Sequence, residues 1–382
     1  MRWSIRGCDM TDITATSAPF VGRSLWADAL ARLKSNKAAM VSLIYLAVMA
    51  VVCIFGPYFL PHPYTTIYQD YVRTPPSLSA YPRPEMIETA LQDVVRRMRA
   101  DLEEWHEQDE RVFVTVSSAK VIDERVTRYL DRSNTFSDAR IESKSPDGLK
   151  LTMSATIKKE YFLFGTDNTG RDLLARTLMG GRISLAIGLL AGLVAVVIGV
   201  LYGATAGFSG GKTDEIMMRI VDILYSLPFI FFVIMLVVFF GRNFVLMFLA
   251  VGAVLWLDMA RIVRGQALSI RRQEYVQAAE ALGVGGWGIL KRHIVPNLLG
   301  PVVIYMTLLV PQVIILESFL SFLGLGVQEP MTSWGVLISQ GANNIGSANW
   351  LLLFPAFFLV STLFALNFIG DGLRDALDPK DR

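Results

Sequence analysis

The chain holds 382 residues, 53 % of them hydrophobic, with a formal net charge of only +2. So apolar a composition excludes an ordinary soluble protein, and so small a charge offers no bulk basic surface for nucleic acid. Two cysteines, Cys8 and Cys53, give no disulfide framework, and no zinc-type Cys/His spacing occurs.

The apolar residues are gathered into six runs, roughly Ala38–Leu60, Ile183–Phe208, Ile220–Phe240, Phe244–Met259, Leu298–Leu316 and Trp350–Ile369. A bilayer core needs about 20 helical residues, so these read as six membrane spans, the fourth short and carrying Asp258 near its end. Arg2 and Arg6 resemble a signal-peptide start, but no apolar stretch follows before residue 38, and the first run reads as an uncleaved span. Cys53 inside it is expected as a buried, unpaired thiol. With the N-terminus inside, segments 1–37, 209–219, 261–296 and 371–382 hold 17 Lys/Arg, and the short outer loops hold only Arg242. That bias sets the orientation.

Taken in order, Ser24–Lys37 places Leu25, Trp26, Ala29, Leu30 and Leu33 on one helical face, with Arg32, Lys34 and Lys37 elsewhere. The pattern suits an interfacial helix on the inner leaflet, with a disordered basic tail as the alternative. From Pro61 to about residue 160 the composition turns soluble, with 15 Lys/Arg and 17 Asp/Glu through residue 164. Glu85 to Asp109 reads as a helix, Arg111–Ser117 as a strand, and Ser118–Leu130 as a second helix. Ala139–Lys144 and Leu149–Ile157 flank a Ser-Pro-Asp-Gly turn and read as a hairpin. The segment is a small α+β extracytoplasmic insert. Glu103, Glu104, His106 and Asp109 form a loose metal-like cluster, better read as a solvated charged helix face.

Phe164–Leu185 follows, where Gly165, Asp167, Gly170, Arg171 and Asp172 predict a turn and short helix outside, with Arg171 and Asp172 as structural ion-pairing groups. Gly188-x-x-x-Gly192 and Gly199-x-x-x-Gly203 permit close helix approach in lipid. Ala206–Thr213 (AGFSGGKT) falls one residue short of a phosphate-binding loop and has an apolar helix, not a strand, before it, so Lys212 reads as an anchor. Glu317 lies near the outer end of the fifth span, as an interfacial carboxylate or a substrate contact. Ser318–Asn344 reads as an apolar outer loop that re-enters or caps the bundle, with Trp334 and Trp350 at the membrane interface.

Glu274–Asn297 (EYVQAAEALGVGGWGILKRHIVPN) is polar, helical, and set between apolar runs on the inner side. Tyr275, Ala278, Ala279 and Leu282 share a helix face. Gly283, Gly285, Gly286 and Gly288 stop it from continuing as a rod, and Pro296 closes it. Such a segment suits docking on a soluble partner that drives the membrane helices.

Four stretches together resemble the permease subunits of ABC importers for dipeptides and oligopeptides, of the DppC/OppC type: 164–185, 274–297, SFLGLGVQEPMTSWG (321–335) and NFIGDGLRDALDPK (367–380). The resemblance covers nearly the whole chain except the insert. It implies an all-α polytopic membrane protein of the type I ABC importer permease fold, in a bacterial inner membrane with both termini cytoplasmic. The core permease domain would span 161–370, with 371–382 as a cytoplasmic tail. It further implies a homologous DppB/OppB-type permease, two cytoplasmic ATPase subunits of the DppD/DppF type, an extracytoplasmic peptide-binding protein, contact with membrane lipid, and no nucleic acid. ATP and Mg would be bound by the ATPases, with no cofactor or catalytic site on this chain. The EAA coupling loop of the family falls on 274–297. Carried over, Glu274, Tyr275, Gln277, Ala278, Ala279, Gly283, Arg292 and His293 would couple to the ATPase, Gln277 replacing the usual Glu.

Opines, glycoconjugates or nickel complexes are alternative cargoes. An ion-coupled secondary transporter would show internal repeats and mid-membrane acids, which are not seen. A membrane-anchored enzyme would carry its chemistry in the insert, where no nucleophile–base pair stands out.

Overall fold

The computed structural model describes residues 25–240 and 244–377. Arg2, Arg6, Cys8, Arg242 of the expected short outer loop and the last residues of the expected cytoplasmic tail lie outside the described residues.

Helix α1 (Leu25–Ser35) leads into α2 (Lys37–Phe59), the first expected span. Asn36 between them accepts from the Ala39 amide with its side chain and caps α2. Cys53 of α2 is free and buried, as expected.

After a linker the chain builds an α+β unit from α3 (Pro84–Met98), β1 (Asp101–Gln108), β2 (Arg111–Ser117), α4 (Thr127–Asp131), β3 (Phe136–Lys144) and β4 (Lys150–Ile157). The strands form one antiparallel sheet in the order β1-β2-β4-β3. Alternate residues Val112, Val114 and Val116 of β2 and Leu151, Met153 and Ala155 of β4 meet Ile87, Leu91, Val94 and Val95 of α3 in a closed core. The β3–β4 hairpin turns at Ser145–Gly148, with Gly148 at φ +70.

Two expectations for this unit are corrected. The helix predicted from Glu85 to Asp109 stops at Met98, where Arg99 takes a left-handed φ of 58. Residues 101–108 are instead an edge strand, which lets Leu102 and Trp105 pack on the sheet core. Glu103, Glu104, His106 and Asp109 therefore stand on a strand edge and turn, with Glu103 paired to Lys150 and His106 stacked on Phe113. The helix predicted over Ser118–Leu130 shrinks to a 3-10 turn at Glu124–Val126 and α4. Ile122 donates its amide to the Gly148 carbonyl, which ties that segment to the hairpin.

Helix α5 (Leu173–Ser209) has 37 residues, about 55 Å at 1.5 Å per residue. The turn at 165–172 thus opens directly into the second span, with Asp172 accepting from the Leu174 amide as its cap. Gly210 (φ +65) ends α5, and α6 (Gly211–Ser226) follows, so a helix precedes the phosphate-loop look-alike. Next come α7 (Phe229–Phe240) and α8 (Phe244–Arg271). A Cβ on Gly199 would reach the Met259 side chain and one on Gly203 the Ala260 carbonyl, so these two glycines set the close α5–α8 approach. Ion pairs Arg264–Asp214 (2.6 Å) and Arg261–Asp222 (2.8 Å) fasten α6 to α8.

The expected third span is broken. Leu227 is extended ahead of Pro228, as the clash with a following proline ring favours, and α7 has only 12 residues. The fourth continues past Met259 to Arg271. Among the described residues four helical stretches are long and apolar enough to cross a membrane: Lys37–Phe59, Leu173–Ser209, Gly286–Phe322 and Trp350–Leu377.

The remainder comprises α9 (Glu274–Ala281), α10 (Gly286–Ile289), a π-helical turn (Leu290–Ile294), α11 (Val295–Phe322), α12 (Trp334–Ala342) and α13 (Trp350–Leu377). Pro296 does not close the 274–297 stretch: helix runs on through it from Gly286 to Phe322, and the π-helical turn just before the proline marks where the regular ladder is interrupted. Trp334 is no interface anchor either. It is fully buried, and its Nε1 donates to the Thr177 carbonyl at 2.9 Å.

The insert meets α5 at its N-terminal end through His62. The buried ring lies 2.9 Å from Asp172 at Nδ1 and 2.8 Å from Glu160 at Nε2. Both partners are acceptor carboxylates, so the doubly protonated imidazolium satisfies both contacts. Burial opposes the charge, but hydrogen bonds to Asp172 and Glu160 overcome it and raise the pKa above the ordinary histidine value. A raised folded-state pKa gives stability that is full below about 6.5 and is lost as pH rises through the folded value. Hydrogen exchange over residues 158–172 is expected to speed up from pH 6 to pH 9 beyond the intrinsic rate increase, and H62Q to abolish that extra change.

Candidate functional site

The segment 274–294 lies at the opposite end of α5 from the insert. Val276, Ala279, Ile289, Leu290 and Ile294 turn inward and pack in one cluster with Ala204, Val263 and Ala267. Those anchors hold the segment in place: α9 packs on the later turns of α8, and the π-helical turn packs on both α8 and α5.

A Schellman motif closes α9. The Gly283 amide donates to Glu280 O and the Val284 amide to Ala279 O. Gly283 sits at φ +79 and a Cβ there would meet nothing within 4 Å, so the glycine is required by the backbone and not by crowding. The motif throws Leu282, Val284 and Trp287 outward. Leu282 is 84 % exposed and Trp287 72 % exposed, beside exposed Tyr275. Bare aromatic and aliphatic surface of this kind marks a place for a partner. Exposed Glu274, Lys291 and Arg292 surround it. Glu274 stands in the first turn of α9, where a carboxylate suits the helix dipole.

Of the residues singled out from the sequence, Glu274, Tyr275, Gln277, Ala278, Gly283 and Arg292 lie on the open side. Ala279 does not. It is 7 % exposed and packs inward beneath α9, because i+3 spacing pairs it with Val276. His293 is half-buried behind Tyr275, ring centroids 6.4 Å apart. Gln277 turns its amide onto the Arg272 carbonyl at 3.3 Å. The exposed apolar anchors Leu282, Val284 and Trp287 lie outside the site residues that the resemblance carries over; the lone Trp inside a glycine-rich polar turn is the sequence signal for them.

A second set of charges gathers at the other end of the bundle. Arg176, 2 % exposed, pairs with Asp167, and Arg171 pairs with Glu329 at 2.8 Å. Asp167 also accepts from the Thr169 and Arg171 amides. Arg171 and Asp172 are thus ion-pairing groups, as expected. Of the two readings of Glu317, the interfacial carboxylate is corrected: the residue is fully buried, because α11 runs on to Phe322 and α12 folds back over it. Among the described residues no group of His, Cys, Asp and Glu is arranged to hold a metal ion.

Residues 175–382 match the family model described as binding-protein-dependent transport system inner membrane component. Residues 24–76 match the N-terminal TM domain of oligopeptide transport permease C. The oligopeptide transport system permease protein OppC of Escherichia coli (strain K12) is 65 % identical over 232 residues, covering 61 % of this chain and 77 % of the relative. The protein of the same name from Bacillus subtilis (strain 168) is 36 % identical over 359 residues, 94 % of this chain and 91 % of the relative, a span too long to leave the insert out. The dipeptide transport system permease protein DppC of Bacillus subtilis (strain 168) is 49 % identical over 220 residues, 57 % of this chain and 69 % of the relative.

Proposed function

The chain belongs to the binding-protein-dependent transport system inner membrane component family, and from that premise we propose that it is one of two permease subunits lining the path of a peptide importer driven by partner ATPases. It is a multi-pass protein of the inner membrane. Relatives named for oligopeptide and dipeptide transport support peptides as the cargo. The observation that carries the reading is the apolar face of Leu282, Val284 and Trp287, held outward by the Gly283 cap and anchored on α5 and α8.

In this reading α9 is the coupling helix and faces the cytoplasm, with the chain crossing six times. The fifth and sixth crossings lie within Gly286–Phe322 and Trp350–Leu377; the third and fourth are α7 and α8. The insert then lies outside, resting on or near the docked peptide-binding protein. A homologous permease completes the path, and ATP and Mg belong to two cytoplasmic ATPases. Nucleotide-driven motion reaches the membrane as displacement of the 274–294 segment and of the α5 and α8 ends it grips.

Reconstituted with its partner permease, two ATPases and binding protein, the chain is expected to support ATP-dependent uptake of labelled oligopeptide, and the chain alone to hydrolyse no ATP. ATP hydrolysis by the chain alone, or uptake unaffected by leaving it out, would overturn the assignment.

A further inference from the structure

Glu317 is a fully buried carboxyl in a membrane-crossing helix, and such a group is costly unless it holds something. Its Oε1 accepts from Ser321 Oγ at 2.7 Å and from Ser333 Oγ at 2.6 Å. Those serines bracket the loop 323–332, Ser321 in the last turn of α11 and Ser333 as the cap of α12. Ser333 Oγ in turn accepts from the Val336 amide, so the carboxyl and the start of α12 share one hydroxyl. Among the described residues no cation pairs with Glu317; Ser184 of α5 sets a third hydroxyl beside the carboxyl, and Oε2 makes no close hydrogen bond.

The loop is held down at further points. The Trp334 amide donates to Ser184 Oγ at 3.1 Å and ties the start of α12 to α5. Gly326 lies against Ser321 with no room for a Cβ. On the surface, Glu329 reaches Arg171 from the turn before α5. The loop is therefore a strap across the insert end of the bundle, fastened inside by an uncharged cradle and outside by an ion pair.

We propose that Glu317 is a positioning residue for transport: through the two serine hydroxyls it holds the strap and α12 in place over the end of the permeation path. The assignment of a path rests on the peptide-importer reading; the fastening itself does not. Hydrogen-bond acceptance is the working property, so glutamine, whose amide oxygen can accept from both serines, replaces glutamate, and alanine does not.

The test places a cysteine at Val327, the strap residue buried on its inner side, in the full complex with Cys8→Ser and Cys53→Ala. A second probe, Leu298→Cys, reports on the far end of α11. The rate of maleimide labelling and the uptake of labelled peptide are read for Glu317, E317Q, E317A and S333A. The expected result is labelling at 327 at least tenfold faster in E317A, intermediate in S333A and unchanged in E317Q, with position 298 protected throughout. Uptake is expected to fall in E317A with ATP hydrolysis retained, and to be rescued in E317Q. Unchanged labelling at 327 in E317A and S333A, loss in E317Q equal to that in E317A, or equal rises at 327 and 298 would each overturn the proposal. Should E317A fail to accumulate, S333A against E317Q decides it. Correct labelling with no peptide uptake in the unsubstituted complex would sink the importer reading and leave the fastening intact.

Discussion

Leu282→Ser and Trp287→Ser are expected each to weaken ATPase docking by roughly 30-fold and together to reduce ATP-driven uptake to background, with the permease still folded in the membrane. Both side chains stand in solvent in the isolated chain, so their loss removes little internal packing. At a partner interface an exposed anchor of this type contributes about 2 kcal/mol or more when buried, and each 1.4 kcal/mol is tenfold. Gly283→Leu acts differently. It forces a branched residue to φ +79 at a cost of about 1–2 kcal/mol and disturbs the cap that presents both anchors. Gly283→Asn, better tolerated in that region, is expected to retain more coupling. Binding of purified ATPase to permease-containing vesicles, measured with the melting temperature of each variant, separates docking from folding. Full docking by the double variant would show that the face serves something else.

Asp167→Ala is expected to produce the largest loss of stability, about 3–5 kcal/mol, because it strands the Arg176 guanidinium inside the protein. Arg176 is 2 % exposed, and Glu329 is 3.8 Å away and half in solvent, too weak a substitute. Replacing both partners, Asp167→Leu with Arg176→Met, is expected to recover only the part due to the stranded charge, because the Thr169 and Arg171 amides still lack the Asp167 acceptor. Thermal unfolding in detergent measures both. A single-variant loss under 1 kcal/mol would mean that water reaches Arg176.

The membrane class, the position of the insert and its hairpin were legible because each carries a periodic signal. Apolar runs of twenty residues, the alternation of Arg111–Ser117 and the Ser-Pro-Asp-Gly turn depend on local sequence alone. Strand β1 was read as helix because an edge strand exposed along nearly its whole length, DLEEWHEQ, has no two-residue alternation to show. The break in the third run is hidden in the hydropathy, which continues through Leu227-Pro228-Phe229, although the proline itself marks it. The depth of Glu317 depends on α12 folding back from seventeen residues away, which no local pattern records. At the candidate coupling surface, spacing placed the helix correctly, yet it could not tell that Ala279 faces inward and Leu282 outward. That difference comes from the packed cluster under α9, built on α8 and the π-helical turn, which covers one side of the helix and leaves the other bare.

Photocrosslinking from a benzoylphenylalanine at position 282 in native membranes tests the account most directly. The account predicts an adduct with one cytoplasmic ATPase subunit, lost when Trp287 is also replaced by serine. An adduct with the extracytoplasmic binding protein, or none at all in membranes that import peptide, would contradict it.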